Sequence, residues 1–134
     1  MSDASGAQFP YETHLDVLCC PLETIALDPI VDAIRHPWYN QTLARVNDSV
    51  IRLGVINGEY HWHEHTNDDE FFYVVEGQLL IDLEPDPDGA PGRVVALNPR
   101  EGFVVPKAVR HRTRAPERTV ILMMETASVV PTGS

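Results

Sequence analysis

Tyr60-His61-Trp62-His63-Glu64-His65-Thr66-Asn67-Asp68-Asp69-Glu70 runs directly into Phe71-Phe72-Tyr73-Val74-Val75-Glu76-Gly77. Three of the chain's six histidines sit here, at alternate positions. In a strand, residues two apart point to one face, with Cα atoms about 6.5–7 Å apart at roughly 3.3 Å per residue. That gap lets two imidazoles converge on one ion at bonds of about 2.0–2.1 Å. A helix would need histidines at i and i+4 instead. The pattern therefore predicts a strand-borne metal site, with His61, His63 and His65 lining one side and Glu70 offering a carboxylate. Gly77 closes the following strand, where a turn needs positive φ or a close backbone approach.

With a second segment, these residues resemble a known family. His63-Glu64-His65, four residues, Glu70, six residues and Gly77 is similar to the first cupin motif. Gly102-Phe103-Val104-Val105-Pro106-Lys107-Ala108-Val109-Arg110-His111 is similar to the second, with Ala108 where cupins usually carry glycine and a shorter interval from Gly102 to Pro106. The resemblance covers about residues 50 to 126. It looks closest to the small single-domain cupins labelled mannose-6-phosphate isomerase-like, which share the run from Gly58 to Gly77 and an ending like Glu125 to Gly133.

The resemblance implies an all-β fold, a double-stranded β-helix (jelly roll, or cupin barrel). It also implies one divalent transition metal ion held by His63, His65, Glu70 and His111. His61-Trp62-His63 is a second His-x-His pair, but it leaves six residues before Glu70, where the motif fits four. His63 and His65 are taken as ligands, with His61 one step further along the same face. Whether His61 replaces or joins the set stays open.

The rest of the chain fits one domain. At 134 residues and 15.0 kDa there is room for a single sizeable core. A formal charge of −10 argues against a nucleic-acid partner or an acidic membrane surface. No apolar run approaches the ~20 residues that span a bilayer. Met1 to Gln8 lacks the basic and apolar segments of a secretory signal, so a cytoplasmic location is expected. Cys19 and Cys20 are adjacent and lack zinc-site spacing; they are expected to be reduced thiols.

Residues 1–27 read as an N-terminal tail and edge strand, the strand spanning Leu22 to Leu27, and 28–134 as the barrel. Asp28-Pro29 predicts a short helix near 29–36, with Asp28 as N-cap and Pro29 at its first position, limited by Pro37. That helix is expected to pack outside the barrel, with Trp38 and Tyr39 sealing the contact. Strands are expected over Leu43–Val46, Val50–Ile56, His61–His65, Glu70–Val75, Gln78–Leu83, Val94–Leu97, Phe103–Val105, His111–Arg114 and Thr119–Met124. Turns are expected at Asn47-Asp48-Ser49 and at Asn57-Gly58, and a solvated loop over Glu84–Gly92.

Alternation places Phe72 and Val74 with Glu70, and Val109 and Thr113 with His111, facing an enclosed cavity. Arg110, Arg112 and Arg114 then face outward. Arg52 is expected to be a solvated strand residue, or, if turned inward, an anchor for an anionic substrate. Glu125 is expected at a strand end in water, with the core as the alternative.

Three imidazoles and a carboxylate suit Mn, Fe, Ni, Zn or Cu. The expected function is a metal-dependent enzyme on a small oxygen-rich molecule, of isomerase, dioxygenase or C–C lyase type. His61 or Tyr73 would be a proton donor or substrate contact, Tyr73 facing away from Glu70. The alternatives are a binding or sensing module without turnover, and a structural metal. Resemblance to small cupins also implies a homodimer, with the apolar Leu15 to Leu27 region adding a strand to a partner.

Overall fold

The computed structural model describes residues 11–85, 87–89, 91–129, 131 and 133; the expected tail at 1–9 lies outside them. In chain order the elements are β1 (Glu12–His14), α1 (Leu27–Ala33), β2 (Trp38–Val46), β3 (Ser49–Glu59), β4 (Glu70–Glu76), β5 (Leu79–Leu83), β6 (Arg93–Leu97), β7 (Gly102–Val105) and β8 (His111–Thr126). Among the described residues, seven of the eight strands pair antiparallel, and β1 alone runs parallel to its neighbour β2.

β8 joins the two layers of the jelly roll. Its first part pairs with β5 (Leu80↔Arg114 through Leu83↔His111), and β5 pairs in turn with β6. Its second part lies between β3 and β4 in the order β1-β2-β3-β8-β4-β7. Two strands were expected here, His111–Arg114 and Thr119–Met124. One continuous strand forms because Pro116 falls at a register shift, opposite the irregularity between Ile56 and Gly58, where a missing amide hydrogen leaves no ladder bond unmade. The same shift absorbs Asn57-Gly58 into β3. Gly58 has φ of 111°, and the expected turn is a bulge inside the strand.

The N-terminal elements also depart from expectation. The segment 22–27 forms no strand; Leu22 has φ of 70°, which interrupts an extended run, and the short strand is β1 instead. The helix begins at Leu27 with Ala26 as N-cap, so Asp28 lies in the first turn and caps nothing. It ends at Ala33, well before Pro37.

Two apolar clusters sit on opposite faces of β3. Val31 and Ile34 of the α1 region pack with Leu43, Leu53, Val55 and Val120 outside the barrel, as expected, and Tyr39 joins them. Ile56, Phe72, Val74, Leu79, Ile81, Val105 and Ile121 fill the inside. Trp38 belongs to this inner cluster rather than to the helix contact, stacked on Tyr60 at a centroid distance of 5.3 Å. Each such fully buried side chain contributes roughly 1.5–3 kcal/mol. The turn at Asn47 (φ of 53°) joins β2 to β3 as expected. No helix among the described residues is long and apolar enough to cross a membrane.

Candidate metal centre

His63, His65, Glu70 and His111 are all buried, and each presents a ligand atom within 4.8 Å of the others. Glu70 opens β4 and His111 opens β8, so regular pairing fixes both. His63 and His65 lie on the connection before β4, which is not the regular strand expected. Tyr60 donates its amide hydrogen to the Thr113 carbonyl, whereas His63 pairs with His111, so the register slips by one residue between them. That slip resets the alternation. Tyr60 takes an inward position, His61 falls out of phase, and His63 and His65 point in.

The ring orientations are held from outside the cluster. His63 Nδ1 lies 3.0 Å from the His61 carbonyl, and His111 Nδ1 lies 2.9 Å from the Val109 carbonyl. A carbonyl only accepts, so each Nδ1 carries the hydrogen and each Nε2 keeps a lone pair. His65 Nε2 is 3.3 Å and His111 Nε2 is 3.4 Å from Glu70 Oε1. Neither approach meets hydrogen-bond geometry, and both nitrogens and Glu70 Oε1 are buried without a hydrogen-bond partner. Buried polar atoms left this way cost about 1–3 kcal/mol each. Three imidazole nitrogens and a carboxylate oxygen gathered within 4.8 Å of one another are a donor set that a divalent transition metal takes up, so the residues fit the ion.

The electrostatics agree. Burial, then the nearby His111, holds His63 down at about 4, so it is neutral and ready to ligate at ordinary pH. Burial pushes Glu70 up, but the His111 and His65 rings close beside it outweigh that and hold the carboxyl at about 2.

Behind the cluster lies a cavity of about 30 Å³, lined among others by Trp38, Asn40, Arg52, Tyr60, Thr113 and Glu125. At ~10–15 Å³ per water it holds roughly two. Pro131 lines its edge, and its carbonyl accepts from the Tyr60 hydroxyl at 3.3 Å. Arg52 and Glu125 are both 4% exposed and face this cavity, which corrects the expectation that both sit in solvent. Glu125 is pushed up to about 9 by burial and then by the charge of Glu70, against the opposing pull of Arg52.

Neither expected catalytic group, His61 or Tyr73, lines this cavity. The His61 ring packs against Tyr60 and Tyr11, 5.2 Å from the His63 ring, and is not one of the four. Tyr73 is on the outer face of β4, stacked with Phe71, because Glu70, Phe72 and Val74 take the inner one. Arg112 and Arg114 face outward as expected, both bonded to Asp82. Asn40 and Tyr60 went unnoticed in the sequence as cavity residues. Tyr60, immediately before the histidines, was the available signal.

A family model described as Cupin domain (Cupin_2) matches residues 53–125, which contain all four of these side chains. The chain belongs to the cupin family. This cupin is 40% identical over 96 residues to the uncharacterized protein YdbB of Bacillus subtilis (strain 168), across 72% of this chain and 80% of that one. A cupin-2 domain containing protein from Shewanella frigidimarina NCIMB 400 superposes with a TM-score of 0.68 at 30% identity, covering 76% of this cupin and 93% of that chain. Protein NMB1881 from Neisseria meningitidis does so with a TM-score of 0.64 at 30% identity, covering 78% and 99%.

Proposed function

We propose that this cupin is a metal-dependent enzyme acting on a small oxygen-rich molecule by isomerisation, C–C cleavage or dioxygenation. One observation carries the reading: four buried ligand residues from three segments converge beside a cavity, and the ligand atoms of His65, Glu70 and His111 have no hydrogen-bond partner. A bound divalent ion would supply Lewis-acid polarisation of a substrate oxygen. His63, His65, Glu70 and His111 hold it, and Phe72, Ile121 and Met123 keep bulk water from the inner wall. His61 is proposed as a substrate contact or proton donor at the margin beside His63; Tyr73 takes no part.

The subtype we favour is the mannose-6-phosphate isomerase-like small cupin, with 28–134 as the barrel domain and 1–27 as an appended segment. A cytoplasmic homodimer belongs to the same proposal. Leu15, Val17, Leu18 and Leu22 are exposed, and Leu18 and Cys19 donate amide hydrogens to β2 carbonyls, which supports an apolar edge that takes a partner. Sedimentation tests the dimer.

The small cavity favours a second reading, capture of a small ligand without turnover. Elemental analysis of purified protein tests the ion. Oxygen consumption and product formation with diketones, sugar phosphates and hydroxy acids then separate enzyme from binder. Turnover that disappears on chelation and returns with metal supports the enzyme. Turnover that survives complete chelation rules out metal catalysis.

A further inference from the structure

Arg52 is a buried cation with too few partners. Its Nη2 donates to the Val129 carbonyl at 3.3 Å, beyond the usual ~2.7–3.2 Å. Its Nη1 stands 3.5 Å from Glu125 Oε1, and neither Nη1 nor Nε makes a hydrogen bond. Glu125 Oε2 is likewise without one. A structural Arg–carboxylate pair closes to about 2.7–2.9 Å, often through two parallel bonds. This pair has not closed, although the two side chains are only 5% and 1% exposed and burial penalises every unmet donor.

The unmet donors share the cavity with His63 and Glu70. Charge points to what would meet them. With a dication in place, even two ionised carboxylates and the guanidinium leave the pocket with one net positive charge, which an anion would neutralise. The cavity itself holds about two waters, so an anion of about six heavy atoms also takes the adjoining space toward Val129 and Pro131. The shared lining supplies a partner for each of its ends: the metal ligands His63 and Glu70 for one oxygen and Arg52 for one acidic group.

We infer that Arg52 anchors the carboxylate of a small 2-oxo or 2-hydroxy acid whose neighbouring oxygen faces the centre formed by His63, His65, Glu70 and His111. The inference rests on the metal reading above and deepens it to a substrate class. The ligand takes space now bordered by the carbonyls of Val129 and Pro131, each held by a single 3.3 Å hydrogen bond. Nε, unused, and Nη2, released from Val129, then form the fork that grips the carboxylate.

The test is binding to the zinc-loaded protein, because zinc brings no redox turnover. Calorimetry compares pyruvate with butane-2,3-dione, a probe of nearly the same shape without the charge. Pyruvate is expected to bind roughly 10- to 100-fold more tightly, the range for hydrogen bonds to a charged group. Arg52→Met should abolish that preference while leaving the dione affinity and the zinc content unchanged. Arg52→Lys, which keeps the charge and loses the fork, should fall between. Protein that retains no zinc overturns the metal reading and the anchor with it. Protein that retains zinc but binds the two probes alike, or binds neither, overturns the anchor alone. If Arg52→Met does not fold, the comparison of probes on the unsubstituted protein decides.

Discussion

His63 and His111 exchange a pair of backbone hydrogen bonds: each amide donates to the other's carbonyl, at 2.9 and 2.8 Å. That exchange sets their rings 4.4 Å apart although the two residues come from distant segments. The backbone, rather than the ion, brings these ligands together, so the metal-free protein should already be folded around them. His63→Ala or His111→Ala is therefore expected to lower metal affinity without unfolding the barrel. The loss should be at least the ~10–100-fold known for outer-shell partners. Elemental analysis after dialysis measures it, and undiminished metal in both variants would remove the assigned site.

Gly77 leaves no room for a side chain. Its φ is 91°, and an added Cβ would stand 2.4 Å from Thr119 Oγ1 and 2.9 Å from the Arg118 carbonyl oxygen. The Thr119 hydroxyl bonds the backbone of Gln78 and Glu117 and cannot easily give way. Gly77→Ala should destabilise by about 2 kcal/mol or more, within the ~1–3 kcal/mol typical of backbone strain with added crowding. Urea unfolding reads this directly, and a midpoint equal to that of the parent would contradict it.

Asp82 ties β5 to β8 outside the cavity. It accepts from Arg114 Nε at 2.7 Å and Nη2 at 2.8 Å, and from Arg112 Nε at 3.0 Å. The Arg114 hydrogen bonds, with help from Arg112, hold the carboxyl below its ordinary value of 3.8 despite burial. The unfolded chain then takes up the proton first as pH falls, so the stabilisation is full above about 3.8 and is lost below it. At neutral pH Asp82→Asn should cost roughly 1–2 kcal/mol, the lower part of the range for charge-assisted bonds because both arginines are partly exposed. The gap between variant and parent should narrow below that pH. A gap that widens with acid would show the assignment is wrong.

Leu53 is fully buried between β3 and α1, on the side away from the histidines. Leu53→Ala should lose about 2–5 kcal/mol through the cavity left behind. Metal bound per folded molecule should stay the same. A matching loss of metal would mean the two faces of β3 are not independent.

The ligand set was legible because the ion demands particular residue types at fixed separations, and a strand or a strand-like segment delivers them equally. The facing of Arg52 was not. Both sides of β3 are buried from Arg52 to Ile56, one against α1 and one against the cavity, so alternation of apolar and polar residues carries no sign there. Glu125 was missed for another reason: at its end of β8 the apolar Met124 is the exposed residue and the charged Glu125 the buried one, so the usual polar-out, apolar-in alternation is inverted there. His61 was misplaced by a single inserted residue, which no periodicity reveals before the partners of Tyr60 and His63 are known. The N-terminal helix was misjudged at its start because Asp28-Pro29 fits an inner position of the first turn as well as a cap.

The four ligands are not equally tethered. Glu70 and His111 open long strands held on at least one flank by ladders, while His63 and His65 hang from the protein by a few isolated bonds. Exchange of the ion should therefore proceed by the two histidines of the connection letting go first. Glu70 and His111 would be the firmer holders of a bound ion, and the rate at which a chelator strips it should follow the loosening of residues 61–69 rather than the global unfolding of the barrel.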